Sequence, residues 1–479
     1  MEFTAEQAGI INSRSANVVV NAFAGTGKTT TLRGYAMARP RARILYLAFN
    51  KAMAQEAAGS FPENVDCRTI HSLAYTAVGY RYRHKLGTLR PNDLLRHYSD
   101  VSLLVADVLA KTLENFMYSA DAMITEAHVP DALPMSDRLR ITGAAQQVWR
   151  DIIDDGSSLP LPHDAYLKLY QLSLPVLSKR YDIILLDEAQ DTNLVTADIV
   201  FRQRCGKVLV GDRHQAIYGF RGNVNVMDML PDAEVHYLTR SMRFGSLVAN
   251  AATTLLRYMK AETHAIIGGG AMAAQPDRLD HARPFAIISR TNAGVFNQAV
   301  NLLGQRRVHF VGGLHSSLFG KLRDIYGLWS DQGALVQDAF YREFGNFDAL
   351  ATYGRETSDK EILSLVSIVN QYRTALPGLM DQVGGQACAT AAEAQVLLLT
   401  AHRSKGLQFD QVLLDDDFQD LVDKRGRRTA AHASNATEFE QEINLLYVAM
   451  TRARSAIQFN RQYLAFIEAV DKGSLHPAG

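Results

Sequence analysis

Asn17-Val-Val-Val-Asn-Ala-Phe-Ala-Gly-Thr-Gly-Lys-Thr-Thr30 decides how this 479-residue chain is read. Val18 to Val20 is a short β-branched run, the signature of a buried parallel strand. Ala24-Gly25-Thr26-Gly27 interrupts it with a turn that glycine makes possible. A helix is expected from Lys28 through Met37. Strand, glycine turn and helix form the setting of a phosphate-binding loop. Backbone N–H groups of the turn point at phosphate oxygens, and the helix N-terminus adds partial positive charge. In that reading Lys28 reaches the β- and γ-phosphates and the Thr29 hydroxyl binds Mg²⁺. The pattern G-x-x-x-x-G-K-[ST] places glycine at position 22, where this chain has Ala22.

The length exceeds what one ordinary core supports, so several domains are expected. Hydrophobic residues make up 47% and charged residues 21%, a globular composition. No apolar run reaches membrane-span length, and no membrane role is expected. Met1-Glu-Phe-Thr4 does not read as a signal peptide. Cys67, Cys205 and Cys388 are scattered, without metal-ligand or disulfide spacing, which fits a reducing, cytoplasmic compartment. In a bacterium the expected place is the nucleoid. Formal net charge is zero, so a polyanion must be held by a local groove.

Thr4-Ala-Glu-Gln7 reads as a capping box, with adenine recognition as the functional alternative for Gln7. Ile44–Phe49 is a second buried strand, followed by Asn50-Lys51-Ala52 and a helix through Ala58. Thr69-Ile-His-Ser72 ends a third segment, where small polar residues serve either ligand binding or helix capping. From 76 to 177 apolar residues recur at helical spacing, and a stretch of roughly 100 residues is too long for a loop. Tyr181-Asp-Ile-Ile-Leu-Leu-Asp-Glu-Ala-Gln-Asp191 then delivers Asp187 and Glu188 at a strand's C-terminal end. Paired carboxylates there suit Mg²⁺ binding and activation of water. A further strand, Lys207–Asp212, leads to Gln215, a candidate γ-phosphate sensor, and to Tyr218 and Phe220. Singly these aromatics are more often core; their glycine-separated loop favours base stacking. A second strand–helix series is expected from Glu234, interrupted by helices over 314–393. It ends in a helix over Glu442–Ala453 that presents Arg452.

Five spaced motifs together resemble the UvrD/Rep-type superfamily 1 helicases. They are Ala-Phe-Ala-Gly-Thr-Gly-Lys-Thr29, Asp-Glu-Ala-Gln-Asp191, Gly-Asp-Arg-His-Gln-Ala-Ile-Tyr-Gly-Phe-Arg-Gly222, His-Arg-Ser-Lys-Gly-Leu407 and Tyr-Val-Ala-Met-Thr-Arg-Ala453. Stretches outside them are similar to the helicase part of the F-box DNA helicases. Examples are Phe49-Asn50-Lys51, Lys111-Thr-Leu-Glu-Asn-Phe116, His128-Val-Pro130, Tyr166-Leu-Lys-Leu169 and Ser289-Arg-Thr-Asn292. The chain starts directly at the Gln7 motif, so an F-box is not expected.

The resemblance implies an α/β fold of two RecA-like P-loop domains with parallel sheets, each carrying a mainly helical insertion. The expected parts are 1–75 with 178–233, an insertion at 76–177, 234–313 with 394–479, and a smaller insertion at 314–393. It implies ATP-driven 3′→5′ translocation on single-stranded DNA, with hydrolysis at the inter-domain cleft and unwinding at single/double-strand junctions. It assigns nucleotide contacts to Gln7, Ala24, Gly25, Thr26, Gly27, Lys28, Thr29 and Thr30, with Gln408 where a glutamate usually meets the ribose. Mg²⁺ falls to Thr29 and Asp187, the general base to Glu188, and γ-phosphate contacts to Gln215, Arg243 and Arg452. DNA contacts fall on Phe49, Asn50, Thr69, His71, Tyr218, Phe220 and His402. Met242 replaces a frequent adenine-stacking aromatic, and Asn444 a frequent arginine.

The run Tyr80-Arg-Tyr-Arg-His-Lys85 alternates aromatics with cations. Alone it reads as a solvated basic turn. Its closeness to Thr69–Ser72 predicts a second nucleic-acid grip through Tyr80, Arg81, Tyr82, Arg83 and Lys85. Two alternatives to a helicase remain from the motifs. One is a P-loop kinase or other NTPase without nucleic acid. The other is a non-unwinding motor that strips proteins, such as recombinase filaments, from single strands. An RNA substrate and another DNA-processing partner protein stay open.

Overall fold

The computed structural model of the chain describes residues 2–130, 133–219, 222–270, 278–357, 359–429 and 436–477. It divides into two compact units, Met1–Leu238 and Thr239–Gly479.

The first unit opens with α1 (Ala5–Asn12), β1 (Asn17–Ala22), α2 (Lys28–Met37), β2 (Ile44–Ala48), α3 (Lys51–Ala58), β3 (Val65–Thr69) and α4 (Ile70–Ala77). Caps written in the sequence set several of these boundaries. Asn50 accepts from Met53 N to start α3, and Thr69 accepts from Ser72 N to start α4. Helices α5 (Pro91–His97), α6 (Leu103–Tyr118), α7 (Met135–Ile153) and α8 (His163–Leu172) follow. The chain then re-enters the sheet with β4 (Ile183–Leu186) and continues through β5 (Thr192–Asn193), α9 (Leu194–Phe201), β6 (Gly206–Gly211), β7 (Asn223–Val224) and β8 (Glu234–Leu238). Six strands form one parallel sheet in the order β3-β2-β4-β6-β1-β8. Strands β1, β2 and β6 are buried along nearly their whole length, which explains their continuous apolar runs.

Residues 234–238 depart from expectation. They pair in parallel with β1, Val18 opposite Glu234 through Ala22 opposite Leu238, and so close the first sheet. Periodicity identifies a strand, not the sheet it joins. Here Ser13 Oγ donating to Glu234 Oε2 at 2.6 Å fastens the strand's start to the first unit.

The second unit begins with β9 (Arg240–Ser241), α10 (Ser246–Lys260), β10 (Ile267–Gly268), β11 (Phe285–Ser289), α11 (Asn292–Asn301) and β12 (Val308–Phe310). A helical stretch follows: α12 (Leu314–Trp329), α13 (Ala339–Arg342), α14 (Phe347–Glu356), α15 (Lys360–Tyr372) and α16 (Leu376–Gln386). The unit ends with β13 (Val396–Thr400), α17 (Ala401–Ser404), β14 (Phe409–Leu414), α18 (Ala436–Met450), β15 (Ala453–Gln458) and α19 (Arg461–Asp471). Its main sheet is also parallel, ordered β12-β13-β11-β14-β15. The α/β class with two parallel sheets stands as expected. Helix α18 stops at Met450, short of the expected Ala453, so Arg452 lies in the turn before β15 and not on the helix.

Candidate active site and nucleic-acid groove

The glycine loop after β1 is built on backbone conformations that only glycine takes at low cost: Gly25 has φ +76° and Gly27 φ +84°. Ala22 lies inside β1 in extended pairing with Leu238, so the missing first glycine costs nothing there. Thr26 is buried and donates its hydroxyl to Phe23 O at 2.8 Å, which locks the turn. Ala24 is buried beside it, and Thr30 lies in the first turn of α2. Gln7 fulfils the capping box: Thr4 N donates to its Oε1 at 3.0 Å, and its own N–H donates to Thr4 Oγ1 at 3.2 Å. Its other amide end reaches Thr26 O at 3.4 Å. A Cβ on Gly27 would meet that nitrogen at 2.9 Å, so Gly27 also makes room for Gln7.

Lys28 opens α2 and pairs with Glu188 Oε1 at 2.8 Å. Burial works against its charge, but Glu188, Asp187 and Asp212 outweigh that and hold its pKa above the ordinary lysine value. Asp187 and Glu188 stand just past β4. Burial, then the Glu188 carboxylate, push the Asp187 carboxyl above its ordinary range, while Lys28 and a hydrogen bond from Tyr46 oppose the shift. Thr29 Oγ1 lies 3.5 Å from Asp187 Oδ2, and the Tyr46 hydroxyl donates to the same oxygen at 2.6 Å. Glu188 has φ +51°, an uncommon backbone setting for a side-chain-bearing residue. Gln215 Nε2 donates to Asp212 Oδ2 at 2.6 Å. The structure thus brings Lys28, Thr29, Asp187, Glu188 and Gln215 to the C-terminal edge of one parallel sheet, where such sheets bind ligands.

Two members escape the sequence reading. Tyr46 sits in an aliphatic strand, where a buried hydroxyl needs a partner. That need was its signal. Gln190 is fully buried and bonds to both Glu188 and Asp212 N. It lies within the Asp-Glu-Ala-Gln-Asp191 motif, which gave it no role of its own.

The donor set fits a nucleoside triphosphate with Mg²⁺. The loop offers N–H groups and an ammonium to phosphate. Thr29 and Asp187 offer two hard oxygens converging on one spot, the kind of partial protein shell Mg²⁺ takes when phosphates complete it.

In the second unit Arg243 Nη1 donates to Thr451 O at 3.0 Å, which brings it beside Arg452. Arg452 is held by Val448 O at 2.8 Å, Leu407 O at 3.3 Å and Thr451 Oγ1 at 3.0 Å. Asn444, where an arginine is frequent, accepts from Lys260 Nζ at 2.7 Å, and the same ammonium pairs with Glu440 Oε1 at 2.8 Å. Met242 and Gln408 are exposed, and His402 is half-buried in α17.

Within the first unit Phe49, Asn50, Thr69 and His71 line one groove, together with Tyr75 and Tyr166. Phe49 is stacked on Tyr218, ring centroids 5.8 Å apart at 12°. Thr69 also caps α4, and His71 Nε2 lies 3.1 Å from Asp164 Oδ1. Phe220 lies outside the described residues. The run at 80–85 departs from expectation in three places. Tyr82 is buried and cannot stack on a base. Arg81 Nε pairs with Asp155 Oδ2 at 2.8 Å, and Lys85 Nζ donates to Asp154 O at 2.6 Å. Tyr80 remains 59% exposed with the Arg83 guanidinium 4.5 Å from its ring centre. The alternation in sequence concealed that the 3₁₀ turn at Gly79–Tyr82 points successive rings to opposite sides.

Comparison with known proteins accounts for this arrangement. Residues 3–230 match the UvrD/REP helicase N-terminal domain, and residues 341–460 match the UvrD-like helicase C-terminal domain. The chain is similar to F-box DNA helicase 1 of Gallus gallus, 35% identical over 95% of this chain and 49% of the relative. It is 30% identical to F-box DNA helicase protein 1 of Schizosaccharomyces pombe, over 92% of this chain and 55% of that one. A probable DNA helicase II homolog of Rickettsia conorii is 26% identical over 42% of this chain and 35% of its own length. The chain spans about half the length of the two F-box relatives. Among the described residues no helix is long and apolar enough to cross a membrane. The glycine loop, the strand-end carboxylates and both domain matches lead to one assignment: the chain belongs to the UvrD-like helicase family.

Proposed function

We propose that the chain is an ATP-dependent DNA helicase that moves 3′→5′ along single-stranded DNA and opens duplex at single/double-strand junctions. What carries the reading is the constellation of Lys28, Thr29, Asp187, Glu188 and Gln215 on the glycine loop and the ends of adjacent strands. Bound MgATP supplies the phosphoanhydride whose hydrolysis drives movement. Lys28 exchanges its Glu188 partner for phosphate, and that exchange releases the base. Glu188 then accepts the proton of an attacking water. Thr29 and Asp187 hold the metal, and Gln215 reads the γ-phosphate. Gln7 contacts adenine and Gln408 the ribose. Arg243 and Arg452 stabilise charge that develops in the transition state. The groove of Phe49, Asn50, Thr69 and His71, with the Phe49–Tyr218 stack, takes bases and backbone of the single strand. The family resemblance assigns DNA contacts to Phe220 and His402 as well.

The test is ATP turnover with and without single-stranded DNA or RNA, followed by unwinding of 3′- and 5′-tailed duplexes. Strong stimulation by DNA and unwinding of the 3′-tailed substrate are expected. Stimulation without unwinding, accompanied by displacement of a recombinase filament, selects the non-unwinding motor. Turnover indifferent to either nucleic acid overturns the assignment.

A further inference from the structure

We propose that Gln190 is the positioning residue that sets the Glu188 carboxylate and ties it to the γ-phosphate sensor. The inference rests on the reading of Glu188 as general base. Gln190 has no exposed surface. Its Nε2 donates to Glu188 Oε2 at 2.5 Å and to Asp191 Oδ2 at 3.2 Å. Its Oε1 accepts from Asp212 N at 3.0 Å. The amide orientation is fixed by these partners, because a flip would turn its oxygen onto two carboxylates and its NH₂ onto an N–H. Asp212 in turn accepts from Gln215 Nε2 at 2.6 Å. A continuous path therefore runs from Glu188 through Gln190 and Asp212 to Gln215.

Two further features show that the local fold is shaped around this side chain. A Cβ on Gly211 would sit 2.4 Å from Gln190 Oε1, so glycine there makes the approach possible. Glu188 is held at φ +51°, and Gln190 grips the far end of that residue. Strain of this kind persists only where surrounding contacts over-determine it. A base pinned on one oxygen by a buried donor keeps the other, Oε1, for Lys28 or for water.

The variants are Gln190→Met, which keeps length and removes all three bonds, and Gly211→Ala, which leaves Gln190 in place but displaces its oxygen. Each is measured for nucleotide affinity, and for KM of ATP and kcat at saturating single-stranded DNA, beside Glu188→Gln. Both variants are expected to bind nucleotide within about threefold of the parent. Turnover should fall by about 10- to 100-fold while KM for ATP changes little, a split that a merely weakened fold does not produce. Gln190→Met combined with Gln215→Ala should lose less than the product of the two single losses. If Gln190→Met does not fold, Gly211→Ala decides alone. An unchanged kcat in Gln190→Met and Gly211→Ala, with Glu188→Gln inactive, overturns the role of Gln190 while the base assignment survives. An active Glu188→Gln overturns the base assignment itself.

Discussion

The two parallel sheets end in opposite ways. At the C-terminal edge of the first, ionisable side chains face one another: Lys28 meets Glu188, Thr29 and Tyr46 meet Asp187, and Gln215 meets Asp212. At the corresponding edge of the second, carboxylates are saturated by the fold. Asp417 accepts from Arg290 N at 2.6 Å, Thr291 N at 2.8 Å and Thr291 Oγ1 at 2.8 Å. Asp415 accepts from Ser289 Oγ and Gln298 Nε2, both at 2.6 Å. Arg290 is locked in a two-pronged pair with Glu442, both bonds 2.6 Å. Side chains that satisfy each other can exchange partners when a ligand arrives. Asp417, held by two backbone N–H groups and a hydroxyl, has less freedom to exchange, so that carboxylate is fixed by the fold.

The largest expected effect lies at the opposite edge of the second sheet, where Arg452 precedes β15. Arg452 is fixed by bonds that include three to neutral oxygens, which orient its guanidinium without cancelling its charge. Arg452→Ala should lower turnover by ~10³–10⁵, as for other transition-state arginines, and change nucleotide affinity little. Arg452→Lys should not restore it, since a point charge does not reproduce the planar fork. Steady-state kinetics at saturating single-stranded DNA provide the check. Normal turnover in Arg452→Ala would transfer the role to Arg243.

The exchangeable edge is tested by separating its pair. Glu188→Gln should reduce turnover by about 10²–10⁴-fold, the usual contribution of a general base. It should also tighten nucleotide binding, because Lys28 no longer has to leave a carboxylate. Lys28→Ala should abolish turnover by the other route, through lost phosphate binding. Direct titration with a fluorescent nucleotide distinguishes them. Equal loss of affinity in both would mean that the 2.8 Å pair is not what nucleotide displaces.

A smaller effect separates the edges by pH. Burial, against the hydrogen bonds it accepts, pushes the Asp417 carboxyl up to about 6. The folded state then holds a proton that the unfolded chain releases near the ordinary carboxyl value. Stability from this group is greatest at low pH and falls as pH rises from about 4 to about 6, by about 3 kcal/mol in all. Asp417→Asn removes the titration. The melting-temperature gap between parent and variant should therefore change across pH 4–6 and be flat above it. A gap independent of pH would return Asp417 to an ordinary ionised cap.

Much of this was legible in the sequence. The glycine loop, α2 and α3 were readable because their signals are local: a β-branched run, glycine in a turn, Asn50 as a cap. The strand-end carboxylates were readable because an apolar run delivers them. What escaped is non-local. Strand β15 runs Ala-Arg-Ser-Ala-Ile-Gln at a sheet edge, so polar residues break its apolar signal. Strand β8 was seen but given to the wrong sheet, since pairing is a tertiary fact. Gln190 and Tyr46 act through partners far off in sequence or reached only through the turn after β4. Arg81 was read as a phosphate cation because Asp155, 74 residues away, was not visible as its partner.

That last point sharpens into the smallest prediction. Three cations at 81–85 lead to the expectation that replacing them flattens the salt dependence of DNA binding by about 2, at about 0.7 per phosphate contact. The structure divides them. Arg81 is tied to a carboxylate and Lys85 to a carbonyl, whereas Arg83 lies over an exposed tyrosine ring. Arg81, already paired with a carboxylate, releases no net counterion charge when it turns to phosphate, and Lys85 is half-buried with its ammonium held on Asp154 O. Tyr80 also touches Tyr75 edge-on at 6.2 Å, and Tyr75 touches Tyr166 at 5.9 Å, so the platform continues the groove that holds His71. The grip to test is then Arg83 with Tyr80, a guanidinium proposed for one phosphate and a ring for one base. Arg83→Ala should flatten the slope by about 0.7, and the triple change of Arg81, Arg83 and Lys85 to Ala should flatten it by little more. Tyr80→Ala should weaken binding equally at every salt concentration. DNA affinity across a salt series reads all three. A loss of about 2 in the triple variant would show that Arg81 and Lys85 abandon their acidic loop for the strand, and that this edge too is exchangeable.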